Sequence, residues 1–209
     1  MISKKFKCIF VEVPKTGSTS IRNIIGKAKN PHQNILQIKK DLNGREELMS
    51  LKQKVFLKTG LIKSDRIYDN IFKNFFKFGF VRNPWDRTVS LYLRNEGIQM
   101  KESMTFDEFV NWIQYSSDTC IHPLKMKNQL DWFTDSHGNL LVDYVGRFET
   151  LDEEWAYIAD KIGCTKNLPY KNVNFGRKHY TYYYNYQTKE IIKKKFQVDI
   201  EYFNYEFGK

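Results

Sequence analysis

The fold is decided by residues 8–20, which read Cys8-Ile9-Phe10-Val11-Glu12-Val13-Pro14-Lys15-Thr16-Gly17-Ser18-Thr19-Ser20. The first six residues form a short, β-rich apolar run, which predicts a buried strand. Gly17 frees the following turn sterically, and Ser18 or Thr19 is expected to cap a helix whose apolar side is Ile21, Ile24 and Ile25. The sequence therefore predicts a contiguous strand, turn and helix.

This turn has the donors of an anion site. A helix N-terminus offers unpaired backbone N–H groups and a partial positive charge, and Lys15 lies next to it. We therefore predict that a phosphate cradle is formed by Pro14, Lys15, Thr16, Gly17, Ser18, Thr19 and Ser20. The pattern differs from the common nucleotide-kinase loop, because there the lysine follows the second glycine, whereas Lys15 precedes Gly17. An exposed lysine in an ordinary turn is the alternative interpretation.

A second junction of the same type follows the apolar run at residues 78–81 and reads Arg82-Asn83-Pro84-Trp85-Asp86-Arg87-Thr88-Val89-Ser90. Asn83 is a favourable N-cap and Pro84 suits the first helical position. Arg82 then lies at the mouth of the junction, with Ser90 about two helical turns further along. An arginine fork and a hydroxyl suit a second phosphate. The alternative is an arginine that forms a salt bridge at the helix start.

Together the two segments resemble the 5′-phosphosulfate loop and the 3′-phosphate motif of sulfotransferases that use 3′-phosphoadenosine 5′-phosphosulfate (PAPS). The match is closest to the carbohydrate sulfotransferase branch, with its P-K-T-x-(G/S)-T-S and R-N-P-x-x-R-x-x-S signatures. Residues 143–151 and 199–207 are similar to two later segments of the family, D-(F/Y)-(I/V)-G-(R/K)-F-E-x-L and D-x-x-x-F-x-Y-x-F. The resemblance thus spans nearly the whole chain.

The resemblance implies a mechanism and a set of site residues. Lys15 would stabilise the oxygen that becomes negative when a sulfuryl group leaves PAPS, which yields adenosine 3′,5′-bisphosphate. Residues 14–20 would hold the 5′-phosphosulfate, and Arg82 and Ser90 would hold the 3′-phosphate. The family's later basic segment implies that Arg177 also approaches the nucleotide. The acceptor is expected to be a hydroxyl of a carbohydrate or glycoconjugate, and no metal is expected.

The residue that acts as general base is not assigned by these motifs. Related carbohydrate sulfotransferases place a histidine soon after the second strand, where this chain has Thr59. Threonine is not a base near neutral pH, so His122, Glu12, another carboxylate or an acceptor that needs little base assistance would have to fill the role. His122 precedes Pro123 in a predicted loop and is our catalytic candidate beside Lys15.

The whole chain, residues 1–209, is expected to form a single sulfotransferase domain of the α/β class. The predicted architecture is a P-loop-like three-layer domain with a central parallel sheet flanked by helices. Strands are expected near 6–13, 54–58, 77–81 and 140–149. Helices are expected near 19–28, 65–75 and 84–95, within 105–134, and from a Thr150–Glu153 capping box to Gly163.

Composition and segment patterns argue against a secreted, a membrane-spanning, a metal-binding and a nucleic-acid-binding protein. The N-terminus has no apolar stretch of the signal-peptide type, no segment approaches the length of a membrane span, and the three cysteines lack metal-ligand spacing. These features predict a soluble protein of the cytosol with free thiols. The formal net charge of +10 invites a nucleic-acid interpretation, but the basic residues are dispersed and no nucleic-acid module accompanies them.

Two alternatives remain open at this level. One is a P-loop-like phosphotransferase, disfavoured by the position of Lys15 and by the lack of an obvious metal-binding carboxylate after a later strand. The other is a non-catalytic nucleotide or nucleic-acid binding protein that has kept its anion sites.

Overall fold

Within the part of the chain that the structure describes, four strands form one sheet in the order β1-β2-β3-β4. They are β1 (Ile2–Ser3), β2 (Cys8–Val11), β3 (Phe76–Val81) and β4 (Tyr144–Arg147). The strands β2, β3 and β4 are mutually parallel, and the short edge strand β1 pairs antiparallel with β2. The sheet is therefore mixed, with a parallel centre as predicted and one antiparallel edge that was not predicted.

The computed structural model describes residues 1–26, 30–93, 104–115, 128–169 and 177–209. Its α-helices, in chain order, are α1 (Ser18–Ile25), α2 (Ile35–Asp41), α3 (Leu51–Lys58), α4 (Ser64–Asn74), α5 (Pro84–Tyr92), α6 (Phe106–Tyr115), α7 (Leu151–Lys161), α8 (Tyr186–Lys195) and α9 (Gln197–Tyr202). Short 3₁₀ turns lie at Glu46–Leu48, Leu130–Trp132, Phe148–Thr150 and Tyr180–Tyr183.

Alternation along β2 gives the sheet two apolar faces. Cys8 and Phe10 pack in one buried cluster with residues of α1 and α7, whereas Ile9 and Val11 pack in another with residues of α2 and α4. The helices therefore cover both faces, which gives the predicted three layers. A third cluster joins α5, α6 and α8 through side chains such as Trp85, Phe109 and Ile192.

Residues 54–58, predicted as a strand, lie in helix α3. A capping box starts this helix, because Ser50 Oγ accepts from the backbone N–H of Gln53 at 3.2 Å and Gln53 Oε1 accepts from that of Ser50 at 2.8 Å. A short apolar run between lysines does not distinguish strand from helix by periodicity. The upstream capping signal was the feature that decided the structure.

Other boundaries also differ from the prediction. Helix α7 begins at Leu151 without a side-chain cap, and the Thr150 hydroxyl lies 3.4 Å from Glu154 Oε1, so the predicted capping box is wrong. Helix α1 ends at Ile25, α5 at Tyr92 and α6 at Tyr115. The remainder of the predicted helical stretch 105–134 lies mostly outside the described residues.

Cys8 and Cys164 are buried free thiols, and Cys120 lies outside the described residues. Burial raises the pKa of the Cys8 thiol to about 12, which makes it unreactive at neutral pH. None of the described helices is long and apolar enough to cross a membrane.

Candidate anion-binding site

The turn after β2 is shaped by Gly17. This residue is the N-cap of α1 with φ 84°, no side chain caps the helix, and the helix begins at Ser18. The prediction that Ser18 or Thr19 is the cap is therefore wrong. A Cβ atom at Gly17 would lie 3.0 Å from Leu151 Cδ2 and 3.3 Å from the Phe148 ring, so a larger residue would strain the left-handed backbone and also push these side chains aside by a few tenths of an ångström.

Lys15 occupies the left-handed region as well, with φ 71°, which is unfavourable for a residue with a side chain. The turn is closed by the Thr16 hydroxyl, which donates to the carbonyl oxygen of Val13 at 2.9 Å. Because this hydrogen is used within the turn, the Thr16 side chain has no hydrogen left to donate to an anion. Lys15 itself is half-buried at the start of the loop.

The first turn of α1 supplies backbone donors. The N–H groups of Ser18 and Thr19 have no acceptor within the helix, because they precede the first i→i−4 bond. The N–H of Ser20 is bonded to the carbonyl of Gly17 at 3.1 Å. The Thr19 hydroxyl accepts a long contact of 3.5 Å from Arg22. The loop therefore presents the backbone N–H groups of Ser18 and Thr19 as donors, with Lys15 two residues before Gly17.

The second junction follows β3 as predicted. Asn83 Oδ1 accepts from the backbone N–H of Trp85 at 3.1 Å, and Pro84 is the first residue of α5. The backbone of Arg82 is bonded on both sides by one buried side chain: its N–H donates to Gln129 Oε1 at 2.9 Å, and its carbonyl accepts from Gln129 Nε2 at 2.8 Å. Gln129 is in turn bonded to the buried Asp199 of α9.

The side chain of Arg82 joins the two junctions. One of its N–H groups donates to the carbonyl oxygen of Lys15 at 3.0 Å, and Nε and Nη2 each lie 2.7 Å from Asp86 Oδ2. The guanidinium also lies over the Phe148 ring, 4.0 Å from its centroid. Burial lowers the pKa of Arg82, but Asp86 opposes that effect, so the guanidinium remains charged.

Arg87 provides a second connection between the junctions. Its Nε donates to the carbonyl oxygen of Pro14 at 3.0 Å, and the side chain is buried. The ion pair of Arg82 with Asp86 is the salt bridge at the helix start that the sequence left open as the alternative interpretation of Arg82. The contacts of Arg87 and Phe148 with this site were not predicted.

Arg177 reaches the same cluster from a distant part of the chain. It donates to Asp86 Oδ1 and, at 3.3 Å, to the Asp86 carbonyl oxygen. Its Nε is buried and has no hydrogen-bond acceptor among the described residues. Ser90, half-buried, lies four residues after Asp86 and therefore on the same face of α5. The structure thus brings Arg82 and Arg177 together at Asp86, with Ser90 one turn away.

The predicted base candidates fall in different places. His122 lies outside the described residues. Thr59 ends helix α3, where its exposed hydroxyl donates to the carbonyl oxygens of Val55 and Phe56 at 3.0 and 3.2 Å. The likeness of residues 58–66 to a family segment that follows the second strand put Thr59 in the place of the family's histidine, but here the preceding element is helix α3 and not a strand.

Glu12 and His32 lie together at the end of β2. The carboxyl group of Glu12 is 1% exposed, and its closest cation is Arg22 Nη1 at 3.9 Å. Burial raises the pKa of Glu12, and the Met1 ammonium and, less strongly, Arg22 oppose this shift. The His32 ring reaches the backbone of the same residue, with Nδ1 3.1 Å from the Glu12 carbonyl oxygen. Sequence reasoning did not identify His32.

Comparison with known proteins gives two positive findings. An uncharacterized protein of Archaeoglobus fulgidus is 32% identical over 108 residues, which are 50% of this chain and 81% of that protein. No solved structure matches the chain. The family model described as the sulfotransferase family matches residues 1–206, which contain both anion motifs and all four strands. The chain therefore belongs to the sulfotransferase family, and its activity is of the sulfuryl-transfer type.

Proposed function

We propose that this protein transfers a sulfuryl group from PAPS to a hydroxyl of a carbohydrate or glycoconjugate acceptor. The observation that carries the proposal is the connection made by Arg82. Its guanidinium bonds the loop that holds Lys15 and the helix that holds Asp86 and Ser90. Two anion sites at the carboxyl ends of neighbouring parallel strands suit a nucleotide with a phosphate at each end of its ribose.

The loop before α1 fits the reacting end of PAPS. The backbone N–H groups of Gly17, Ser18 and Thr19 and the Lys15 ammonium are donors suited to the phosphosulfate, with Pro14, Thr16 and Ser20 shaping the loop. Negative charge grows on the bridging oxygen as the sulfuryl group leaves. Lys15 would stabilise that charge, so we assign it the principal catalytic role.

The start of α5 fits the 3′-phosphate. Asp86 and the Lys15 carbonyl take three of the five N–H groups of Arg82, at Nε, Nη2 and Nη1, so two remain for a ligand. Arg177 has a buried Nε that lacks an acceptor among the described residues. A buried donor without an acceptor is costly, and an anion bound beside it removes that cost. Ser90 would add a hydroxyl.

We expect transfer without a metal requirement, because a sulfuryl group carries less charge than a phosphoryl group. The described residues include no group of three His, Cys, Asp or Glu side chains that would hold a metal ion. The carbohydrate acceptor rests on the resemblance of the two motifs to one branch of the family.

Calorimetry with three nucleotides tests the proposal. We expect adenosine 3′,5′-bisphosphate to bind in EDTA at least ten times more tightly than adenosine 5′-phosphate or ATP. Incubation with ³⁵S-labelled PAPS and a panel of glycans should then label one class of acceptor. Magnesium-dependent preference for ATP would favour a phosphotransferase, and nucleotide binding without transfer to any hydroxyl acceptor would favour a binding protein.

A further inference from the structure

Gln129 bonds the end of β3 as a neighbouring strand would. Its side chain is fully buried, and its Oε1 and Nε2 atoms bond the N–H and the carbonyl oxygen of Arg82 at 2.9 and 2.8 Å. In an antiparallel sheet, two opposite residues exchange a pair of such bonds, so one amide side chain here takes the place of the second strand. Arg82 directly follows β3. The pair of bonds therefore fixes the backbone from which the Arg82 guanidinium extends.

The Gln129 amide is held in turn by Asp199 of α9. The two carboxylate oxygens of Asp199 accept from the backbone N–H groups of Gln129 and Leu130 at 2.8 and 3.0 Å, and Gln129 Nε2 lies 3.4 Å from one of them. Asp199 is fully buried, as is Gln129. Buried polar networks rigidify the groups that they join. A continuous series of hydrogen bonds thus runs from α9 through Gln129 to Arg82.

The other end of the Arg82 side chain has its own contacts. The guanidinium is bonded to the Asp86 carboxylate and the Lys15 carbonyl oxygen, and it lies over the Phe148 ring. These contacts orient the fork, whereas Gln129 fixes the backbone to which it is attached. A binding group keeps its productive geometry only when its support is fixed as well. A shift of the Arg82 backbone would therefore turn the fork away from the bound phosphate.

The junction between β3 and α5 also has an anchor that does not depend on Gln129. Glu149 Oε1 accepts from the backbone N–H of Asn83 at 2.6 Å, and the Tyr205 hydroxyl donates to Glu149 Oε2 at 3.3 Å. Asn83 is therefore held when the Gln129 amide is altered. A conservative substitution of Gln129 should displace Arg82 without releasing the whole junction.

We propose that Gln129 is a positioning residue that gives the site its selectivity for a 3′-phosphorylated nucleotide, an inference that rests on the proposed function. It keeps the Arg82 fork directed at the 3′-phosphate, and Asp199 keeps the amide in place. This role requires an amide, because one atom must accept from the Arg82 N–H while the other donates to the Arg82 carbonyl oxygen. A carboxylate only accepts, so it can form the first bond and opposes the second.

The test compares Gln129→Glu with Gln53→Glu. Each glutamine bonds backbone groups through its side chain, but the bond from the Ser50 N–H to Gln53 Oε1 needs only an acceptor, which glutamate also supplies. Calorimetry with adenosine 3′,5′-bisphosphate and adenosine 5′-phosphate gives the ratio of their dissociation constants. At about pH 8 we expect Gln129→Glu to lower this selectivity about tenfold or more and Gln53→Glu to keep it within about twofold of the wild type.

The pH dependence of the same ratio separates positioning from a general structural role. Protonation gives the introduced carboxyl a hydrogen to donate to the Arg82 carbonyl oxygen, so the selectivity of Gln129→Glu should recover towards the wild-type value as pH falls to about 5.5. The charged groups around this position include Asp199 of α9 and Arg87 of α5. They are present in both proteins, and comparison with the wild type at each pH cancels the titration of the nucleotide phosphates.

A second variant covers the anchor of the amide. Asp199→Asn leaves one oxygen to accept from the two backbone N–H groups, so it should lower the selectivity in the same direction as Gln129→Glu. Unchanged selectivity of Gln129→Glu between about pH 5.5 and pH 8.5, or equal losses for the two nucleotides, would overturn the assignment while a wild type that prefers the bisphosphate still supports the proposed function. A wild type without that preference would overturn both.

Discussion

The guanidinium of Arg82 donates to the carbonyl oxygen of Lys15 at 3.0 Å, although 67 residues separate them in the chain. This bond joins the turn after β2 to the end of β3, and the ring of Phe148, just after β4, lies against the same guanidinium. Segments at the carboxyl ends of three parallel strands are thus connected through the Arg82 side chain. Arg82 therefore has two roles, as a proposed phosphate ligand and as a connection that positions Lys15.

We expect Arg82→Ala to weaken adenosine 3′,5′-bisphosphate binding by about 1.5–3 kcal/mol, the scale of a charge-assisted hydrogen bond. Binding of adenosine 5′-phosphate should change much less, since that nucleotide lacks the phosphate assigned to Arg82. Calorimetry with both nucleotides measures the difference. Arg82→Lys is the matched variant, because it keeps the charge and loses the fork that bonds Asp86 and Lys15 together.

Equal losses for the two nucleotides would contradict the assignment and would leave Arg82 as a structural connection. The melting temperature of each variant separates these roles. A purely structural Arg82 would lower stability and both affinities together.

Two substitutions of Lys15 should lower turnover equally but differ in their effect on stability. Lys15→Ala and Lys15→Gly both remove the ammonium, so turnover should fall on the order of a hundredfold or more with little change in nucleotide affinity. Because φ of Lys15 is 71°, only glycine relieves the backbone strain. We expect Lys15→Gly to be about 1 kcal/mol more stable than Lys15→Ala in urea unfolding.

The kinetic comparison uses ³⁵S-labelled PAPS at saturating acceptor. Full turnover in Lys15→Ala would remove Lys15 from the mechanism, whatever its effect on folding. Equal stability of the two variants would show that the left-handed conformation is not retained when the lysine is removed.

Local physics explains which parts of this structure the sequence could predict. The strands at Cys8 and Phe76, the cap at Asn83 and Pro84 at the first position of α5 depend on neighbouring residues, and the structure confirms them. Helix α3 was predicted as a strand because its apolar run is ambiguous in isolation. The capping box formed by Ser50 gave the opposite and correct signal.

The contacts that define the site could not be predicted in the same way. No local pattern predicts that Asp86 binds Arg177, 91 residues further along the chain. His32 has no motif, and only the packing of α2 brings its ring to the backbone of Glu12. The roles of Lys15 and His122 stay predictions. Long-range pairing of polar groups depends on tertiary packing, which no local pattern in a single sequence records.

Gly17 and Gly138 form a matched pair for testing the turn before α1. Both have left-handed backbones, with φ 84° and 81°, but a Cβ at Gly17 would lie 3.0 Å from Leu151, whereas Gly138 has open space around it. Gly138→Ala should cost about 1–2 kcal/mol from backbone strain alone. We expect Gly17→Ala to cost about 1–3 kcal/mol more, because Leu151 or Phe148 must shift.

Urea unfolding of the two variants gives the difference, and calorimetry gives its functional consequence. Gly17→Ala should also weaken adenosine 3′,5′-bisphosphate, since the displaced loop carries the proposed phosphosulfate donors. Equal destabilisation by the two substitutions would show that the packing against Leu151 contributes nothing.

The last prediction concerns the buried carboxyl group of Glu12. Burial raises its pKa in the folded protein above the usual value of 4.5, so above that pH the folded state holds this proton more tightly than the unfolded state does. By linkage, the free energy of unfolding must fall as pH rises from about 4.5 through the folded-state pKa. Glutamine has nearly the shape of the protonated glutamic acid side chain, is neutral and does not titrate. We therefore expect Glu12→Gln to match the wild type near pH 4.5 and to be more stable at neutral pH.

Urea unfolding of both proteins at several values between about pH 4 and pH 8 measures this difference, and it cancels the titration of buried groups that do not interact with Glu12, such as Asp199. The Met1 ammonium, whose pKa burial lowers to about 6, interacts with Glu12 and contributes to the measured difference. A wild type that is more stable than Glu12→Gln at neutral pH would mean that the Met1 ammonium and Arg22 outweigh desolvation and hold Glu12 ionised.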